Sequence, residues 1–261
     1  MVPTGNWISR LLKSSASLPR IPPGVRAYAI GDIHGRHDLM MALLAAIFAD
    51  ASDGRNIIIF LGDYIDRGPA SRQVIEDISG FDRPGWDVVA LRGNHEQVLL
   101  DFLDDPEIYR VWRPFGAPDT LLSYGVEPPL YSDTAALVTA RDSLAAALPA
   151  RHLDFLKNLP LRYELGDYLF VHAGVRPGVS LNRQHADDLL WIREAFLEFD
   201  GYLGKKIVHG HTPEERPVVT ASRIGIDTGA YATDRLSAVV IENDGYRFLS
   251  TDSPVGGPYK G

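Results

Sequence analysis

With 261 residues, 45% of them hydrophobic and 23% charged, the chain has an ordinary globular composition and length for one large domain or two small ones. A formal net charge of −8 argues against a nucleic-acid-binding surface, which needs clustered Lys and Arg, and suits carboxylates that share bound cations. The chain has no cysteine, which excludes disulfides and thiolate metal sites and leaves His, Asp, Glu and Asn as ligands.

Residues 1–24 read as an arm. Trp7 to Lys13 can form one or two amphipathic turns, and Pro19 to Gly24 then excludes helix. Arg10, Lys13, Arg20 and Arg26 make this region basic, a pattern that a packed or frayed terminus explains more often than a partner or membrane surface does. Met1 to Pro23 holds no apolar core long enough for a secretory signal, and nothing later approaches a membrane span. A cytoplasmic protein without membrane or nucleic-acid partners is the expectation.

Ala27 to Ile30 predicts a short strand that ends in Gly31-Asp32-Ile33-His34-Gly35. Asp38 to Ala49 predicts a helix, capped by Asp38, with Leu39, Ala42, Leu43, Ala46 and Ile47 on one stripe. Asn56 to Leu61 is a β-branched apolar run, broken by Gly62 and followed by Asp63-Tyr64-Ile65-Asp66-Arg67-Gly68. A helix from about Ala70 to Ile78 and a strand from Trp86 to Leu91 come next. That strand ends in Arg92-Gly93-Asn94-His95-Glu96 and leads into a helix reaching Leu103. Strand, glycine turn and helix thus alternate three times, the pattern of a parallel βαβ sheet in an α/β fold.

From Asp104 to Pro160 the pattern lapses, broken by Pro106, Pro114, Pro118, Pro128 and Pro129 between helical pieces such as Asp133 to Leu148. We expect a mostly helical insertion at 105–160, over the sheet's edge, inside a single catalytic domain spanning 25–250. Tyr168 to Val171 restores the strand grammar and ends in His172-Ala173-Gly174, as Lys205 to Val208 does with His209-Gly210-His211. Arg223–Ile226, Leu236–Ile241 and Tyr246–Leu249 predict closing antiparallel strands, and 251–261 a tail.

Five apolar strands therefore end in polar clusters, and strand carboxyl ends in an open sheet share one edge, where such clusters converge. Their oxygen and nitrogen donors suit Mn²⁺, Fe or Zn²⁺, and a central carboxylate can bridge two ions about 3.5–4 Å apart. Glu96 reads as a helix-start residue favoured by the dipole. His211 reads as a neighbour of the site that can hydrogen-bond a ligand. His37, His152 and His185 lack the strand-end context and read as surface or satisfied helix residues. Trp112, Phe115, Tyr124 and Tyr131 can line a substrate groove, although core packing of the insertion is the commoner use of such aromatics.

Gly31-Asp-Ile-His-Gly, Gly62-Asp-Tyr-Ile-Asp-Arg-Gly, Gly93-Asn-His-Glu, His172-Ala-Gly and His209-Gly-His resemble, in order, the motifs of the phosphoprotein phosphatase (PPP) family of metallophosphoesterases, in its bacterial and phage-type form. The resemblance spans residues 27 to 212 and implies mixed sheets flanked by helices. It also implies two divalent ions, Mn²⁺ foremost, with Asp32 and His34 on the first, Asp63 bridging, and Asn94, His172 and His209 on the second. A metal-bridging hydroxide would attack phosphorus in line. His95, oriented by Asp66, would protonate the leaving oxygen, and Arg67 and Arg193 would bind the phosphoryl group. Asp66-Arg67-Gly68 and Asn94-His95-Glu96 follow the protein serine/threonine phosphatase version, which implies a phosphorylated protein or peptide substrate. The alternative is a symmetrical dinucleoside tetraphosphate hydrolase, a group in which the position of Asp66 is usually not acidic. A broad phosphodiesterase shares the same two-metal chemistry. An inactive binding module would lack a ligand, and none is missing.

Overall fold

The protein is described here by a computed structural model covering residues 18–130 and 133–252. The turns expected at Trp7 to Lys13, the residue Tyr131 and most of the tail lie outside the described residues.

The first half runs β1 (Val25–Ile30), α1 (His37–Ala49), β2 (Arg55–Phe60), α2 (Ser71–Ser79), β3 (Trp86–Ala90) and α3 (Asn94–Asp104). The three strands pair in parallel, with Ala27 beside Ile57 and Ile59 beside Val89. Helix α1 starts one residue before the expected cap: Arg36 occupies that position, and its guanidinium instead binds the Asp38 carboxylate at 2.7 and 2.9 Å.

No strand occurs among the described residues of the insertion. It consists of α4 (Tyr109–Trp112), α5 (Ala117–Ser123), α6 (Thr134–Ala147) and α7 (Ala150–Asn158), with two short 3₁₀ turns. Asp133 caps α6 by accepting the Ala136 N–H at 3.0 Å. These helices lie on α2 and α3 and share their core, so the insertion thickens one helical layer of the first sheet.

The second half holds β4 (Arg162–Leu165), β5 (Tyr168–Val171), α8 (Ala186–Trp191), α9 (Glu194–Leu197), β6 (Lys206–His209), β7 (Val218–Val219), β8 (Arg223–Gly225), α10 (Ala230–Thr233), β9 (Ser237–Glu242) and β10 (Gly245–Ser250). One sheet has the order β10-β9-β1-β2-β3 and the other β4-β5-β6-β8-β7. The closing strands are not one antiparallel set: β9 and β10 are antiparallel additions to the first sheet, whereas β8 runs parallel to β6. The short β7–β8 hairpin returns the chain alongside β6, where the Ile207 and Ile226 N–H groups bond to Ser222 and His209 carbonyls.

Alternation along each strand explains the layers. On β1, Tyr28 and Ile30 face the helices, while Ala27 and Ala29 face the second sheet and pack with Phe170, Val208 and Ile224. The other face of that sheet buries Leu169, Val171 and Ile207 against Leu189, Ile192 and Phe196 of α8, α9 and the link between them. The result is a four-layer α/β sandwich, helix–sheet–sheet–helix, and the strand ends of both sheets meet at one end of it. No helix among the described residues is long and apolar enough to cross a membrane.

Candidate active site

Asp32 and His34 follow β1, Asp63 and Asp66 follow β2, and Asn94 and His95 open α3; all six are buried. The two turns are tied to one another, because the Ile33 and His34 N–H groups both donate to the Asp63 carbonyl, at 3.1 and 2.8 Å. Gly62, at φ +106°, is required here: a Cβ would lie 2.6 Å from the Gly93 nitrogen. Glu96 completes the frame. Its carboxylate accepts the N–H groups of Asp63 and Gly93 at 2.9 Å and of Tyr64 at 2.8 Å. Burial, and then the Asp63 charge, push its pKa up to about 7 against these donors. It is the helix-start residue expected, and it also braces the β2 turn.

Asp63 lies at the centre. The ring nitrogens of His34 and His95 stand 3.6 and 3.7 Å from its Oδ2, and His172 Nε2 stands 3.4 Å from its Oδ1. Burial works against its charge, yet at the low pH where it titrates the rings of His172, His95, His34 and His211 around it are protonated, and they hold its pKa below the carboxylate range. Donor atoms of His34, Asp63 and His95 fall within 4.8 Å of one another, as do those of Asp63, His172 and His211. Asp63 is common to both groups.

The histidine tautomers follow from outer partners. The Nδ1–H of His34 donates to the Ile65 carbonyl at 2.8 Å and that of His172 to the Leu61 carbonyl at 3.0 Å. Each Nε2 lone pair is thereby turned inward. Burial keeps both rings neutral, driving the His34 pKa down to about 3. His172 Nε2 meets Asn94 Oδ1 at 2.8 Å and His211 Nδ1 at 3.2 Å.

His209 does not join this cluster. It is still paired in β6, its Nδ1–H donates to the Gly210 carbonyl at 3.0 Å, and its Nε2 lone pair accepts from Arg223 at 3.3 Å. Its ring packs edge-on against Phe196, and it belongs to neither donor group around Asp63. His211, past the Gly210 break, takes the inward position, and its backbone N–H donates to Asp32 Oδ2 at 2.9 Å. Of the two histidines it is His211, and not the expected His209, that the structure brings to Asp63 and His172. Asp32, Asp63 and Asn94 each directly follow a glycine, and His211, after Gly210, shares that pattern.

Asp227 was also missed. It is buried beyond the end of β8, where Ile224-Gly225-Ile226-Asp227 repeats the strand-then-acid pattern. Burial raises its pKa to about 6, although it accepts the Gly229 N–H at 2.9 Å. Asp32 is likewise held well above the carboxylate range, by burial and then by the charges of Asp227 and Asp63.

Arg67 lies with its guanidinium 4.4 Å from the ring centre of Tyr231, which meets His34 edge-on. Arg193 is exposed and donates to Thr212 Oγ1 at 3.3 Å. Phe115 and Trp191 stand beside His95 and His211 respectively, with Trp191 38% exposed. Trp112 and Tyr124, by contrast, are buried in the insertion core. His152 is a satisfied core residue between Tyr124 and Glu76, His37 pairs with Asp77 at 2.8 Å, and His185 is exposed.

The donor set fits divalent ions. Asp32 Oδ1 and His211 Nε2 are buried without a hydrogen-bond partner, and the His34 and His95 ring nitrogens stand too far from Asp63 Oδ2 for hydrogen bonds. Residues 25–240 match the model of the calcineurin-like phosphoesterase family. The chain belongs to that family. As a calcineurin-like phosphoesterase it is a hydrolase of a group that uses divalent metals, and it fits the phosphoprotein phosphatase motifs.

This phosphoesterase is 27% identical to a Bacillus velezensis bis(5'-nucleosyl)-tetraphosphatase PrpE (asymmetrical), over 84% of this chain and 87% of that one. It is 29% identical to serine/threonine-protein phosphatase 1 of Salmonella typhimurium, over 82% and 91% of the two chains. The solved cold-active protein-tyrosine phosphatase of a psychrophilic Shewanella species has the same fold, with a TM-score of 0.58 at 17% identity and coverage of 89% and 81%.

Proposed function

We propose that the chain is a dinuclear-metal phosphomonoesterase acting on phosphoserine or phosphothreonine in proteins and peptides. The buried His95–Asp66 pair, with Nδ1 2.5 Å from Asp66 Oδ2, carries this reading. A serine or threonine alkoxide leaves poorly and needs a proton as its bond to phosphorus breaks. With Nδ1–H fixed on Asp66, the Nε2 of His95 is the nitrogen free to supply that proton, and it faces Asp63. Burial opposes charge on His95, but Asp63 and Asp66 outweigh it and raise its pKa, which favours the proton-bearing form.

In this reading Asp32, His34 and Asp63 hold one divalent ion and Asp63, Asn94, His172 and His211 the other, with Mn²⁺ as first choice and Fe or Zn²⁺ as alternatives. Bound there, the ions neutralise phosphoryl charge and acidify the attacking water. Arg67 and Arg193 present guanidinium forks to the phosphoryl oxygens, where negative charge grows in the transition state. Tyr231 holds Arg67 from the side.

Dinucleoside tetraphosphate hydrolysis is the second reading. The Phe115–Trp191 pair, with ring centres 6.3 Å apart, favours it, because flat half-exposed rings suit a nucleobase. So does the name of the Bacillus velezensis relative. The test is kcat/KM for a phosphoserine peptide beside that for diadenosine tetraphosphate on one manganese-loaded preparation. We expect a large preference for the peptide, and the reverse preference would establish the second reading.

A further inference from the structure

We propose that Trp112 and Thr120, both in the 105–160 segment, are positioning residues for the His95–Asp66 pair; this rests on the general-acid reading above. Asp66 is fully buried, and each of its oxygens is held. Oδ2 receives the Trp112 Nε1–H at 2.7 Å besides the His95 Nδ1–H at 2.5 Å. Oδ1 receives the Thr120 hydroxyl at 2.5 Å. The Thr120 oxygen in turn accepts the Asp66 N–H at 2.9 Å, and Ser71 Oγ lies 3.1 Å from the same nitrogen.

These bonds answer a specific problem. Asp66 and Arg67 both have left-handed backbone, at φ 73° and 67°, a conformation that non-glycine residues hold only where their surroundings fix it. A buried carboxylate with one imidazole partner would be unsatisfied and free to rotate about two side-chain torsions. Donors from α4 and α5, on opposite oxygens, fix its plane and so fix the imidazole. The segment can approach this closely because of Gly116, at φ +113°, where a Cβ would lie 2.4 Å from the Arg67 nitrogen. Trp112 is wedged by Phe102, with ring centres 5.2 Å apart, so its N–H direction is set by the core. The insertion thus completes the acid: it sits behind the His95–Asp66 pair and contributes no metal-site donor among the described residues.

The test uses the manganese-loaded full chain and two substrates, a phosphoserine peptide and 4-nitrophenyl phosphate, whose leaving group needs no proton. Thr120→Val is near-isosteric and Trp112→Phe keeps a smaller aromatic ring, and both remove the donors. We expect kcat on the peptide to fall about 10–100-fold, with less than about threefold change on the aryl ester. KM and metal content should hold, and Thr120→Ser should restore the peptide rate. His95→Asn is the control that separates the two claims. Equal loss on both substrates in His95→Asn would overturn the general-acid reading itself. Selective loss in His95→Asn, with an unchanged peptide-to-aryl ratio in both donor variants, would overturn the positioning role alone. Equal loss on both substrates in the donor variants, whatever their folding stability, would likewise reduce Trp112 and Thr120 to packing.

Discussion

The first sheet delivers Asp32, His34, Asp63, Asp66, Asn94 and His95 from three successive strand-to-helix turns. The second delivers His172, His211 and Asp227 from loops behind strands of three or four residues. On the first side His34, Asp63, Asp66 and Arg67 all hold left-handed backbone; on the second, of the residues named, only His211 does. Strain of that kind persists only where the surroundings over-determine it, and here Glu96, the Asp63 carbonyl and Thr120 supply the bonds. The first side is therefore built before any ligand arrives. Each side still leaves one buried atom unpartnered, Asp32 Oδ1 on the first and His211 Nε2 on the second, but the second has fewer such backbone braces.

The largest effect should come from the residue the two sides share. Asp63→Asn is expected to empty both metal positions and to lower kcat by more than the about 10²–10⁴-fold that a general acid contributes. Metal analysis showing two ions retained would break the comparison at its centre. Next, His95→Asn should cost about 10²–10⁴-fold on alkyl phosphates while sparing metal content, since it leaves every residue assigned to the ions in place.

Glu96→Ala tests the bracing. It orphans three buried N–H groups at about 1–3 kcal/mol each, so Tm should fall on the order of 10 °C. Thr212→Val on the second side loses only the bond to exposed Arg193 and should shift Tm by roughly 2 °C or less. Equal shifts would mean the two sides are built alike. The smallest effect lies outside both. Burial lowers the His152 pKa from 6.5, so the folded chain stays neutral there while the unfolded chain takes up a proton as pH falls. Stability from this residue is present above about pH 6.5 and lost below it. Wild type should thus lose slightly more Tm between pH 7.5 and 5.5 than His152→Gln.

The same contrast governs what the sequence makes legible. Parallel βαβ units advertise themselves through β-branched runs and glycine breaks, and Asp32, His34, Asp63, Asp66, Asn94 and His95 were all readable from them. Strand β4 was not, because Arg162-Tyr-Glu-Leu carries two charges in four residues and joins β5 only through a tight turn at Gly166 and Asp167. The strand at Arg223–Ile226 was readable, but its parallel direction beside β6 was not, since three residues carry no signal of which neighbour they pair with, and Asp227 behind it went unread. At His209 and His211 the strand-end rule misled because β6 includes His209 itself. The hydrogen bonds from Trp112 and Thr120 join residues 46 and 54 positions from Asp66, a relation no local pattern encodes.

The central claim is that the second sheet completes a two-ion centre around Asp63 through His211. Metal stoichiometry of purified His211→Ala and His209→Ala, measured side by side with wild type, tests it most directly. The account predicts two ions per chain in wild type and in His209→Ala, and about one in His211→Ala. Loss of an ion from His209→Ala, with His211→Ala fully loaded, would contradict it.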